Sequence, residues 1–219
     1  MELVILFFGA LIGGLCAWAI KVKKENMKII LAFSGAFMLG LSFFHVLPES
    51  YEILGSTAGT WGLVGFMLQI LLEVFSRGME HGHSHALNDE AIPLGLFFGL
   101  GLHALLEGLP FAGHAHTHNS LLAGVLIHKV PVAFILGTVL RGAGYSLKKG
   151  ALAIGGFAAM APLGGLLSMF ISTKTTAQIE HYHGIILAIL VGIFLHIATT
   201  IIFESDKGHA FNLTKLMAI

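Results

Sequence analysis

Residues 92–112 read IPLGLFFGLGLHALLEGLPFA. The stretch is apolar throughout except for one histidine, His103, and one glutamate, Glu107. A helix rising about 1.5 Å per residue needs roughly 20 such residues to cross a bilayer. The segment therefore reads as a membrane span, and the two ionisable groups inside it need a reason to be there.

The rest of the chain supports that reading. Of 219 residues, 56% are hydrophobic and 11% are charged, and the mean hydropathy is +0.86. An ordinary soluble domain carries about 25% charged residues. The chain is an integral, multi-pass membrane protein whose immediate partner is the lipid bilayer. Lys plus Arg and Asp plus Glu balance at 12 each, so bulk charge does not argue for a nucleic-acid partner. Cys16 is alone in an apolar run, which excludes an intrachain disulfide and reads as a small buried hydrophobe. The opening MELVILFFGALIGGLCAWAI has no basic residue ahead of its apolar stretch and no small-residue cleavage site, so it reads as a mature helix rather than a signal peptide.

Seven stretches qualify or nearly qualify as spans, at about 3–20, 29–47, 61–75, 92–112, 121–140, 151–171 and 184–203. Alternating strands of an outer-membrane barrel are absent from the pattern, and backbone satisfaction in lipid leaves helices. The fold class is an all-α polytopic transmembrane helix bundle, a single domain over residues 1–219 with a His-rich loop at 76–91. The third span is short and is expected to tilt little or draw in flanking residues. A fresh apolar run starts at Leu216 and stops at once, which reads as the start of a truncated eighth helix; a homodimer is one way to make good a missing helix.

Basic residues orient the bundle. With the N-terminus outside, the inner connections hold Lys21, Lys23, Lys24, Lys28, Arg77, Arg141, Lys148, Lys149, Lys207 and Lys215, against Lys174 alone on the outer side. The positive-inside rule places the N-terminus outside, in a plasma or inner membrane. Small residues recur at four-residue spacing, Gly9 with Gly13 and Gly95 with Gly99, and in pairs at 155–156 and 164–165. They predict close helix approach.

Ionisable groups at membrane depth cost about 2.5–3.5 kcal/mol each on insertion scales, so they face the bundle interior or a polar path. They are His45, Glu73, His103, Glu107, His128, Lys129 and His196. His103 and Glu107 are four apart, hence on one helix face and about 6 Å apart along the axis. If the fourth and fifth helices are antiparallel neighbours, His128 in LIHKVPVAFILG lies near the depth of His103. Two imidazoles and a carboxylate suit Zn²⁺, Fe²⁺, Mn²⁺ or Co²⁺ better than Mg²⁺ or Ca²⁺. Pro110 and Pro131 sit in the same two helices, where a missing donor frees a carbonyl, and unwound backbone beside a midplane ion site is a transporter device. The bland alternative is two core histidines bonded to carbonyls and a neutral carboxylic acid; three such groups aligned in depth and flanked by prolines argue against it.

The motifs FFHVLPES, HALLEG, HKVPVAFILG, APLGGLL and GIFLHIATTIIFES, in that order along the chain, resemble the ZIP (ZRT/IRT-like) family of divalent-metal transporters. The resemblance implies an eight-helix fold with outward termini, movement of Zn²⁺ or a similar cation into the cytoplasm, and a transport site between helices four and five. By motif position, His103, Glu107 and His128 match metal ligands, and the metal is cargo rather than a cofactor. Many members build a second adjacent site from polar or acidic residues; here those places hold Ala104, Lys129, Val132 and Ala161, so a single site is expected. The Lys129 ammonium is expected to pair with Glu107 in that space, as in a family subset with HK in helix five; snorkelling to the nearest interface is the alternative. His45 and Glu49 resemble the His-x-x-Pro-Glu segment and are candidates for outer capture or gating.

His196 and Glu204 read as lying at different depths, and Glu73 reads as solvated near an inner end. The clusters His81, His83 and His85, then His114, His116 and His118, then HYH at 181–183, read as loop collectors of metal. Two other classes stay open from the residues themselves: an intramembrane zinc hydrolase, against which stand the missing HExxH and second acid–base carboxylate, and a haem-binding membrane protein using axial histidines. The first reading, a transporter and not an enzyme, is the one the motifs favour.

Overall fold

The computed structural model describes residues 1–76, 94–111, 119–171 and 176–203. Every regular element among the described residues is helical: α1 (Glu2–Ala19), α2 (Lys24–Leu41), a π-helical turn (Ser42–Val46), α3 (Leu47–Leu54), α4 (Thr57–Ser76), α5 (Leu94–Gly108), a 3₁₀ turn (Leu109–Phe111), α6 (Asn119–Gly142), α7 (Leu147–Ile171) and α8 (Thr176–Phe203). Six segments are long and apolar enough to cross a membrane, and Gly95–Phe111 is a shorter apolar helix.

The boundaries follow local chemistry. α2, the π turn and α3 continue as one rod, Glu25–Leu54, because the widened turn precedes Pro48, which has no N–H to offer the helical ladder. The short third span does draw in flanking residues and begins at Thr57. α5 stops at Gly108 and tightens into the turn holding Pro110, so unwinding occurs there. Pro131 behaves differently: it lies inside a continuous α6. The HYH cluster is corrected from loop to helix, since α8 starts at Thr176 and carries His181–His183 in its first turns. The helix-forming TAQIE that precedes the apolar run extends it outward.

The helices sort into two groups by packing. α1 lies against α6 and α7, and α5 lies against α7; α8 gathers α2, α3 and α4. Each group is drawn together by reciprocal glycine contacts. A side chain at Gly65 would come within 2.0 Å of the Ile189 carbonyl oxygen, and one at Gly192 within 1.9 Å of that of Gly62, which ties α4 to α8. Gly108 and Gly164 do the same for α5 and α7, against the Ala161 and Leu105 carbonyls at 2.0 and 1.9 Å. In lipid such backbone proximity replaces the missing hydrophobic drive between helices. The predicted four-residue glycine pair in α1 takes part, with Gly9 and Gly13 against Leu126 and Val130 of α6, whereas Gly155 and Gly156 face open space.

The two groups meet along α2 with α6 and α4 with α5. Leu31, Leu100, Leu136 and Phe194 are fully buried in the bundle, while Leu152 and Phe170 stand about four-fifths exposed, at 80% and 79%. Large apolar side chains turned outward fit a surface whose solvent is lipid. The Arg141 guanidinium donates to the Ala17 carbonyl, closing the last turn of α1 at the end where α6 also finishes.

Candidate metal centre

The site is built where the two groups touch. α5 presents His103 and Glu107 one turn apart, and α6 presents His128 and Lys129 opposite them; all four are 0–1% exposed. The imidazoles of His103 and His128 meet edge to face with centroids 5.9 Å apart. One ligand atom from each of His103, Glu107 and His128 lies within 4.8 Å of the other two. Among the described residues these three form the group of His, Cys, Asp or Glu side chains close enough to share an ion.

His103 Nε2 stands 3.3 Å from Glu107 Oε1, yet both atoms are buried with no hydrogen bond. In a tetrahedral shell with bonds of about 2.0–2.1 Å, neighbouring ligand atoms are about 3.3 Å apart. His103 Nε2 and Glu107 Oε1 already have that separation, and a ring nitrogen of His128 lies within 4.8 Å of the pair.

Each of the three side chains is held from behind. His103 Nδ1 lies 3.2 Å from Gln69 Oε1 on α4, and His128 Nδ1 lies 3.2 Å from Ser34 Oγ on α2. Such partners orient metal-binding imidazoles and fix which nitrogen faces the ion. Glu107 Oε2 accepts from Lys129 Nζ at 2.9 Å, leaving Oε1 toward His103. Lys129 also lies 5.2 Å over the Phe157 ring. The ammonium does not snorkel; it is locked beside the carboxylate, with a formal charge that cancels it. Three such side chains around one point, two imidazoles and a carboxylate, are a donor set that could hold a divalent transition-metal ion.

The residues that would make a neighbouring second site are apolar and buried: Ala104, Val132 and Ala161 at 0–1% exposure.

A ZIP zinc transporter family model matches residues 76–217, well over half of the chain. The chain belongs to the ZIP family. Among curated proteins, Protein zntC of Dictyostelium discoideum is 34% identical over 103 residues, covering 45% of this chain. That match spans 26% of zntC, so the chain corresponds to about a quarter of it. Zinc transporter ZIP9-B of Xenopus laevis is 20% identical over 250 residues, covering 91% of this chain and 82% of the relative.

Within this ZIP chain, other sequence candidates fall in different places. His45 lies within the π turn and is exposed, and Glu49 is met by His183 of α8, Nε2 to Oε1 at 3.6 Å. Glu73, read from sequence as solvated, is half-buried and sits 2.5 Å from His196 Nε2 on α8, with Phe66 edge-on to that ring. His81, His83, His85, His114, His116, His118 and Glu204 lie outside the described residues. Sequence reasoning missed Gln69 and Ser34. The signal was available for Gln69, a lone carboxamide in an apolar span; Ser34 had none, since a serine in a helix usually bonds its own backbone.

Proposed function

We propose that this chain is a secondary transporter that carries Zn²⁺, or a similar divalent transition-metal cation such as Fe²⁺, Mn²⁺ or Co²⁺, into the cytoplasm. The observation that carries the reading is the buried His103, Glu107 and His128 set, with ligand atoms within 4.8 Å of one another at the meeting of two helix groups. Family membership and two relatives named as zinc transporter or zntC support it. The site is a single-ion site, Lys129 taking the place of a second cation.

The physical mechanism is alternating access. The ligands belong to the α1, α5, α6, α7 group, whereas Gln69 and Ser34 belong to the other. Movement of the first group against the second carries the ion from one side of the barrier to the other without opening both sides at once. Seven spans, an N-terminus outside and a site reached from that side complete the reading, with ten basic residues toward the cytoplasm.

Metal uptake into proteoliposomes tests it. Wild type accumulates Zn²⁺, and His103→Ala and Glu107→Ala lose that accumulation. Equal uptake by all three proteins overturns the assignment of the site.

A further inference from the structure

The two imidazoles of the site are each steadied by a side chain from the opposing helix group, but the two supports differ in kind. Ser34 offers His128 a hydroxyl, which donates or accepts and so fits either ring tautomer. Gln69 offers His103 a carboxamide, whose two ends are not equivalent. With Oε1 at 3.2 Å from Nδ1, the neutral ring carries its proton on Nδ1 and donates it to the amide oxygen. Its lone pair is then on Nε2, the atom 3.3 Å from Glu107 Oε1 that makes no hydrogen bond.

The opposite orientation closes the site. Were the Gln69 amide turned over, its Nε2 would donate to Nδ1, the ring proton would sit on Nε2, and that proton would be donated to Glu107. The pair would then be an ordinary hydrogen bond with no lone pair for an ion. The orientation found leaves the Gln69 amide nitrogen buried with no hydrogen bond, at 0% exposure of the residue. An unmet buried donor is unfavourable. That cost is offset by what the other end of the amide does for His103.

We propose that Gln69 is a positioning residue for the transported ion, selecting the His103 tautomer whose Nε2 lone pair faces the site. The inference rests on reading His103, Glu107 and His128 as the ion site. It has a consequence for transport: α4 and α5 belong to opposite groups, so this hydrogen bond is broken when the groups shift, and the site's grip on the ion depends on which way the protein faces.

The test is a Co²⁺ titration of purified protein in nanodiscs, followed by the visible absorption of the bound ion, with ¹⁵N NMR of the His103 ring in ion-free protein. Gln69→Leu is expected to weaken Co²⁺ binding by about 10- to 100-fold. Gln69→Glu, which only accepts at Nδ1, retains or tightens binding. The ring is expected in the Nδ1–H form in wild type and Gln69→Glu, and mixed in Gln69→Leu. Unchanged affinity in Gln69→Leu, or an equal loss in both variants, overturns the proposal. If Gln69→Leu does not fold, the wild-type ring decides alone, an Nε2–H majority being fatal. His103→Ala is titrated beside them; full Co²⁺ binding by that variant defeats the site itself rather than the role of Gln69.

Discussion

Lys129 Nζ lies 2.9 Å from Glu107 Oε2 with both side chains 1% exposed, so the carboxylate of the proposed ion site is already neutralised by a fixed cation. Removing one member of a buried ion pair leaves the other uncompensated, at about 3–5 kcal/mol. Lys129→Met is therefore expected to lower the melting temperature of the ion-free protein markedly. Zn²⁺, which supplies the lost positive charge, is expected to restore more stability to the variant than it adds to wild type. Thermal melts in detergent with and without Zn²⁺ check this; identical melting curves for variant and wild type count against a structural role for the pair.

The glycine contacts between α4 and α8 make a second prediction. A methyl group at Gly192 meets the Gly62 carbonyl oxygen at 1.9 Å and the Phe66 nitrogen at 2.5 Å, so Gly192→Ala pushes α8 away from α4. Overpacking of this kind costs about 1–3 kcal/mol. Gly40→Ala, where nothing lies within 4 Å, is the comparison, and in a helix it is neutral or stabilising by up to about 1 kcal/mol. Equal stability of the two variants would show that the helices are not held by backbone proximity.

Glu73 and His196 link α4 to α8 at 2.5 Å. A double-mutant cycle with Glu73→Gln and His196→Ala is expected to give a coupling energy above about 0.5 kcal/mol, the level at which contacting residues depart from additivity. Strictly additive losses would mean that the pair contributes no interaction of its own.

Protons and metal compete for the same lone pairs, since coordination needs neutral imidazole and ionised carboxylate. Zn²⁺ uptake measured with equal pH on both sides of the vesicle is expected to fall as the medium is acidified from about pH 8 to 5.5, the range in which imidazole ligands commonly change charge. A flat profile would remove the imidazoles from the ion's coordination shell.

Parts of this architecture were legible residue by residue. Spans of adequate length, the recruitment of Thr57 onward to the short third helix and the shared face of His103 and Glu107 follow from a rise per residue and a helical period. Glycine spacing announced close packing, but not which helix would be met: Gly9 and Gly13 found α6, while Gly155 and Gly156 found no neighbour. Local rules also misplaced HYH, because the helix continued through polar residues that a span-length argument excludes.

What the amino-acid order determined by itself is everything set within one helix: that the chain crosses lipid as helices, that a histidine and a glutamate share one face of α5, and that Pro110 ends that helix. Those outcomes depend on neighbours three or four residues away, so a one-dimensional pattern contains them. Only the tertiary structure decided that His128 closes on that pair, that Lys129 turns inward to Glu107, and that Gln69 and Ser34 reach the two imidazoles across 34 and 94 residues of chain. Those meetings are set by which helices pack together, and close packing in lipid is a property of whole surfaces rather than of any single spacing.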